Sequence, residues 1–219
     1  MPKSHSDDFA ATSAPAALLF DCDGTLLLTA DLHFTGMAQA MQLQGLPLPR
    51  AWYMGLTGLD RTRLFERFLT DFGGTGDLPR FVADSVALTV TLADQARENP
   101  RVAALARAAA GVVPIAVVTN SEGAIARAFL RETALAALFD DIITVEDAPL
   151  PKPAPDLYQI AAARLGVAAC DCLVLEDSDQ GIQAAQAAGM RWIDVRDPHW
   201  PEGCDALLAD HEISMVSLR

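Results

Sequence analysis

The chain has 219 residues, 51% of them hydrophobic and 21% charged, which predicts a folded chain of one large domain, or one domain with a smaller insert, rather than a disordered one. A formal net charge of −13 argues against partners with anionic backbones or surfaces, so neither nucleic acid nor membrane is expected. The four cysteines (Cys22, Cys170, Cys172 and Cys204) show no Cys-x-x-Cys or zinc spacing and read as free thiols of a reducing cytoplasm.

Residues 1–13 lack a long apolar core and read as a tail, neither a signal peptide nor a membrane span. An apolar run at 16–20 then reads as a buried parallel strand. It ends in Asp21-Cys22-Asp23-Gly24-Thr25, two carboxylates flanking one residue before a turn. In open α/β sheets ligands bind outside the carboxyl ends of strands, where these acids are expected to lie.

A helix capped by Thr29 or Asp31 is predicted to run to about residue 44, stopped by Gly45, Pro47 and Pro49. A second is predicted from an Asp60 N-cap, with Leu64, Phe65, Phe68, Leu69 and Phe72 on one face. A third is expected over 79–98, ended by Pro100. No convincing strand lies between residues 30 and 99.

Beyond Pro100 strands and helices alternate. A helix at 102–110 precedes a strand at 113–118 that ends in Thr119-Asn120-Ser121. A helix at 122–131, a strand at 141–145 and a proline-rich loop at 149–155 follow. Then come a helix at 156–165 ended by Gly166, a strand at 172–175 ending in Glu176-Asp177, a helix at 179–188 and a strand at 191–195. From Arg196 the chain reads as loop and a short C-terminal piece. This alternation predicts an α/β fold: a doubly wound, Rossmann-like parallel-sheet core at 14–29 and 99–219, with an α-helical cap inserted at 30–98. Such a cap would close over substrate and exclude water.

Four strand ends carry candidate chemistry. Asp21 and Asp23 are the first. Thr119 reads either as a phosphate-oxygen donor or as an ordinary N-cap. Lys152 stands in Pro151-Lys152-Pro153-Ala154-Pro155 and is one of two lysines against fourteen arginines. It reads either as a compact ammonium placed for a purpose or as a solvated surface residue. Glu176 and Asp177 would join Asp21 and Asp23 in a set of oxygen ligands suited to Mg²⁺.

The ordered set Asp21-x-Asp23-Gly24-Thr25, Thr119-Asn120, Lys152-Pro153 and Glu176-Asp177-x-x-x-Gly181 resembles the haloacid dehalogenase superfamily. The helical insert after the first motif resembles its branch of small-molecule phosphatases and phosphomutases, such as phosphoglycolate phosphatase and β-phosphoglucomutase. That resemblance implies a nucleophile at Asp21, forming an aspartyl-phosphate, and a general acid and base at Asp23. It implies phosphate contacts from Thr119, Asn120 and Lys152. Mg²⁺ would be held by Asp21, the Asp23 carbonyl and Asp177, with Glu176 beside or behind it. It further implies that the second acid, Asp23, marks phosphoryl transfer rather than dehalogenation.

In the cap, His33 and Arg61 match positions that contact substrate in phosphatases and in β-phosphoglucomutase. A half-exposed helix histidine and a solvated arginine are the alternatives. Two departures stand out: Leu28-Thr29 replaces a common Asp-Ser or Asp-Thr pair, and Glu122 stands where the mutase has a lysine. An acid at 122 would oppose a second phosphate. The expected activity is therefore a Mg²⁺-dependent phosphatase of a small phosphorylated metabolite, a sugar phosphate or phosphoglycolate, in a monomer or homodimer. A phosphosugar mutase and a non-catalytic phosphate-binding module are the alternatives.

Overall fold

The computed structural model describes residues 14–56 and 59–213. The predicted tail, and Thr57 and Gly58 of the cap loop, lie outside the described residues. Five strands form one parallel sheet: β1 (Ala17–Phe20), β2 (Ile115–Val118), β3 (Asp141–Ile143), β4 (Cys172–Glu176) and β5 (Arg191–Asp194). Their order is β3-β2-β1-β4-β5, so β1 lies centrally and the chain reverses its direction of winding beside it. The core helices are α5 (Pro100–Ala109), α6 (Gly123–Glu132), α7 (Asp156–Leu165), α8 (Asp179–Ala187) and α9 (Trp200–Leu208).

The sheet is apolar on both faces, as parallel sheets covered by helices must be. Strand alternation assigns each residue to a face. Leu18 and Phe20 of β1 join Ile115 and Val117 of β2 and Leu173 and Leu175 of β4 in one cluster, covered by α5, α6 and α9. Ala17, Leu19, Ala116, Val118, Cys172 and Val174 point the other way, against Leu157, Tyr158 and Ala161 of α7 and Ala184 and Ala185 of α8.

Between β1 and α5 lie α1 (Ala30–Gln42), α2 (Arg50–Met54), α3 (Arg61–Phe72) and α4 (Leu78–Val90). They bury their own cluster, Met37, Ala40, Met41, Tyr53, Leu64, Phe65, Phe68 and Phe81, apart from both sheet faces. Asp60 caps α3 by accepting from the Arg63 N–H at 2.9 Å. The insert leaves and rejoins the core through two adjacent chain segments. Leu28 N donates to Arg97 O at 2.7 Å, and Asn99 N donates to Leu26 O at 2.9 Å.

That return explains one correction. The helix predicted over 79–98 stops at Val90, because the chain must uncoil to pair with Leu26 and Leu28. Thr91, the C-cap residue, turns its hydroxyl back to the Leu88 carbonyl at 2.6 Å. The strand predicted over 141–145 ends at Ile143, where Thr144 and Asp147 form a reciprocal cap on a short 3₁₀ turn. Two helices arise where none is predicted. α2 buries Tyr53, and α9 buries Trp200, Cys204 and Leu208 at i, i+4 and i+8. Among the described residues no helix is long and apolar enough to cross a membrane.

Phe65 is fully buried and stacks on Phe81 with ring centroids 4.4 Å apart. Phe65→Ala should therefore cost about 3–5 kcal/mol of stability in a urea titration. A loss below about 1 kcal/mol would contradict the packing described.

Candidate active site

The carboxyl ends of β1, β2 and β4 meet at the point where the strand order reverses, the place where open α/β sheets accept ligands. Asp21 and Asp23 follow β1, Thr119 follows β2, and Glu176 and Asp177 close β4. Asp21, Asp23, Thr119 and Asp177 line an open cavity of about 170 Å³ together with Lys152 and the cap residues His33, Tyr53 and Arg61, and Glu176 lies buried behind them. That space suits a small metabolite rather than a polymer.

Lys152 is the hub. Its Nζ donates to Asp21 Oδ1 at 2.8 Å, to Glu176 Oε1 at 2.6 Å and to the Val118 carbonyl at 2.8 Å, and it lies 4.7 Å from the centre of the Tyr158 ring. The loop that carries it is pinned by Asn120. The Asn120 Oδ1 accepts from Lys152 N at 2.8 Å, and its Nδ2 donates to Lys152 O at 3.1 Å. Burial works against the ammonium, but Asp21 and Glu176 more than offset it and hold the lysine well above its ordinary value. Lys152 is therefore a fixed positive charge.

Glu176 is wholly buried and saturated. Oε1 accepts from Lys152 and from the Tyr158 hydroxyl at 2.9 Å; Oε2 accepts from the Asp177 N–H, the Ser178 N–H and the Ser178 hydroxyl. Gly181 makes room for it: a Cβ there would lie 1.7 Å from Glu176 Oε1. Asp177 is less committed, with the Thr25 hydroxyl donating to its Oδ1 at 3.1 Å. It is seated by Gly24, whose φ of +93° favours glycine and whose Cβ would fall 2.0 Å from Asp177 Oδ2.

Asp21, Glu176 and Asp177 bring ligand oxygens within 4.8 Å of one another. Burial, then Glu176, push the Asp21 carboxyl well above the ordinary range, against the pull of Lys152. Burial and Glu176 likewise raise Asp177 to about 6. Three acids against one ammonium leave a deficit of positive charge that one divalent cation would fill. The all-oxygen donor set, with an unengaged oxygen on Asp21 and another on Asp177, fits Mg²⁺.

Asp23 faces the cap. Its Oδ1 accepts from the Thr29 hydroxyl at 2.6 Å and from His33 Nε2 at 2.7 Å; its Oδ2 accepts from the Ser121 hydroxyl at 2.5 Å and lies 3.3 Å from that of Thr119. Burial raises its carboxyl, but His33, Ser121 and Thr29 outweigh burial and hold it well below the ordinary range. An arginine can only donate, so the Arg61 Nη2 contact at 3.1 Å makes His33 Nδ1 an acceptor.

Residues 15–189 match the haloacid dehalogenase-like hydrolase family. The chain belongs to that family. It is 34% identical over 182 residues to the fructose-1-phosphate phosphatase YqaB of Escherichia coli (strain K12), covering 83% of this chain and 96% of that protein. It is 32% identical over 196 residues to phosphoglycolate phosphatase of Pectobacterium atrosepticum, covering 83% and 80%. Its structure is similar to CbbY from Rhodobacter sphaeroides in complex with phosphate, with a TM-score of 0.75, 28% identity, and 82% and 85% of the two chains covered.

In this haloacid dehalogenase-like hydrolase, every residue singled out in the sequence lines the cavity or bonds directly to a residue that does. Three features refine the reading. Asn120 spends its side chain on the Lys152 main chain. Thr29 offers no helix cap and instead bonds Asp23, so the hinge keeps a hydroxyl although Leu28 is 55% exposed. Ser121 and Tyr158 were not foreseen. Ser121 carried a weak signal as the third polar residue of a strand-end triplet, whereas Tyr158 reads as an ordinary residue of an amphipathic helix.

The raised carboxyls set a pH dependence. The native cluster keeps protons that the unfolded chain has released above 3.8, so this contribution is complete below 3.8 and is lost as pH rises through about 6. With chelator present, the melting temperature should fall between pH 5 and pH 7, and Mg²⁺ should reverse the fall at pH 7. Asp177→Asn should flatten the slope; an unchanged slope in that variant would rule out the cluster as its source.

Proposed function

We propose that this hydrolase is a Mg²⁺-dependent phosphatase of a small phosphorylated metabolite, a sugar phosphate or phosphoglycolate, acting through an aspartyl-phosphate on Asp21. The observation that carries the proposal is the Asp21 carboxylate. One oxygen is held by Lys152, and the other is unengaged in a cavity that Asp23 and Thr119 also line.

Asp21 attacks phosphorus while the ester P–O bond breaks, and Asp23 gives its proton to the leaving alkoxide. Asp23, now a carboxylate, takes a proton from the water that attacks phosphorus. The P–O bond to Asp21 then breaks, releasing phosphate. The resting contacts from His33, Thr29 and Ser121 hold Asp23 in the carboxylate form, so it must loosen from them to load a proton for the first step. Thr119, the Asn120 main-chain N–H and Lys152 neutralise and orient the phosphoryl oxygens. Mg²⁺ would be held by Asp21, the Asp23 carbonyl and Asp177, with Glu176 fixing Lys152 behind them. Bound there, it would screen nucleophile from phosphate and polarise the phosphoryl group.

The relatives support phosphoric monoester hydrolysis, since two of them are named as phosphatases of fructose 1-phosphate and of phosphoglycolate. A bisphosphate-dependent mutase is the weaker reading, because Glu122 occupies the cap side of the cavity where a second phosphate would lie. A module that only binds phosphate would have no use for Asp23 directed toward the same space.

Phosphate release from a panel of sugar phosphates, phosphoglycolate and an aryl phosphate should require Mg²⁺ and stop with chelator. Asp21→Asn should abolish turnover in a folded protein; substantial residual activity would exclude Asp21 as nucleophile. Asp23→Asn should slow natural substrates by about 100-fold or more while Mg²⁺ affinity persists, because only its carbonyl meets the ion. Loss of metal affinity in that variant would contradict the division of roles.

A further inference from the structure

The cap end of the cavity holds a cation and an anion that cancel. Arg61 opens α3 and is 4% exposed. Its Nε donates to Glu122 Oε2 at 2.8 Å and its Nη2 donates to His33 Nδ1 at 3.1 Å. Its Nη1 is buried and has no hydrogen-bond partner among the described residues. Native interiors seldom leave a guanidinium N–H without an acceptor, so Nη1 marks a place where an acceptor belongs.

Glu122 is equally unexplained by its own helix. It is the N-cap residue of α6, yet its side chain caps nothing. The Gly123 N–H instead donates to both carboxylate oxygens of Glu146 at 3.1 Å. The Glu122 carboxylate reaches across from core to cap and meets Arg61, and both line the cavity. Asp60 lines the same end, its carboxylate taken up by the Arg63 N–H and guanidinium.

We infer that Arg61 and Glu122 form a subsite for the uncharged, hydroxyl-bearing remainder of the substrate, and that Glu122 discriminates against a remainder carrying a second anion. This rests on the phosphatase reading and narrows it. A lone arginine would draw a carboxylate or phosphate; an arginine already neutralised by a carboxylate does not. What the pair offers the cavity is a guanidinium whose charge is already answered and a carboxylate, Glu122, with a second oxygen that can accept. A hydroxyl donates its proton to that carboxylate. An anionic oxygen has no proton to donate and meets the carboxylate at close range, which is discrimination by repulsion. Neutral polyol monophosphates are then preferred over bisphosphates and over phosphoglycolate, whose remainder is a carboxylate.

The test compares kcat/KM for fructose 1-phosphate, fructose 1,6-bisphosphate and phosphoglycolate, with an aryl phosphate as a control for turnover. Wild type should favour the monophosphate over both anionic substrates by about tenfold or more. Glu122→Gln removes the repulsion and uncovers Arg61, so it should shift the ratio toward the anionic substrates by about tenfold. Wild-type preference for an anionic remainder, or an unchanged ratio in a folded Glu122→Gln protein, overturns the subsite while leaving the phosphatase intact. If that variant does not fold, the wild-type ratio decides alone. Absence of release from every compound, the aryl phosphate included, overturns the phosphatase reading and the subsite with it.

Discussion

Three carboxylates crowded around one ammonium govern this molecule. Asp21, Glu176 and Asp177 lie close enough to share an ion, and among the described residues Lys152 is the one cation bonded to them. Buried like charges are tolerated only when they are paired, hydrogen-bonded or protonated. Much of the surrounding sequence serves that condition. Tyr158 and Ser178 supply donors to Glu176, Asn120 pins the lysine loop, and Gly24 and Gly181 give up side chains so that Asp177 and Glu176 can sit where they do. The residual imbalance is what the proposed divalent cation would answer, and through it a phosphoryl group.

The sheet supplies the geometry. With β1 central and β2 and β4 on either side, residues separated by more than 150 positions in sequence meet at one edge, as Thr25 and Asp177 do. Two cap residues bond core residues at that edge: His33 reaches Asp23, which Thr29 of the core also holds, and Arg61 reaches Glu122. These join into a line, Glu122 to Arg61 to His33 to Asp23, that links the cap end of the cavity to the carboxylate proposed as acid and base. Closing and opening the cap thus changes the surroundings of Asp23 as well as access to it.

The strands and most helices were legible because their signals are local. β1, β2 and β4 are short apolar runs bounded by polar strand ends, and α3 and α7 begin and end at Asp60 and Gly166 as their caps dictate. The acid and threonine motifs were legible for the same reason, each sitting at a strand end; the lysine was legible as one of two in an arginine-rich chain, set in a proline-rich loop. What was not legible depends on partners distant in sequence. The end of α4 is set by pairing with Leu26 and Leu28, and the commitment of Asn120 to Lys152 is set by loop packing. No spacing in the string foretells that Thr29 serves Asp23 rather than its own helix. Nor does any spacing show that the carboxylate of Glu122, suspect as a departure in the string, neutralises a buried arginine from the cap.

The most direct test of the central claim is to catch the phosphoryl group on Asp21. An aryl phosphate has a leaving group that needs no proton, so Asp23→Asn should still be phosphorylated by it, while lacking the base that hydrolyses the intermediate. Mixing that variant with an aryl phosphate and Mg²⁺, then quenching in acid, should give a burst of phenol equal to the enzyme present and one phosphate on the peptide containing Asp21. A phenol burst with the phosphate on another residue, or steady phenol release with no phosphorylated protein, would contradict the account.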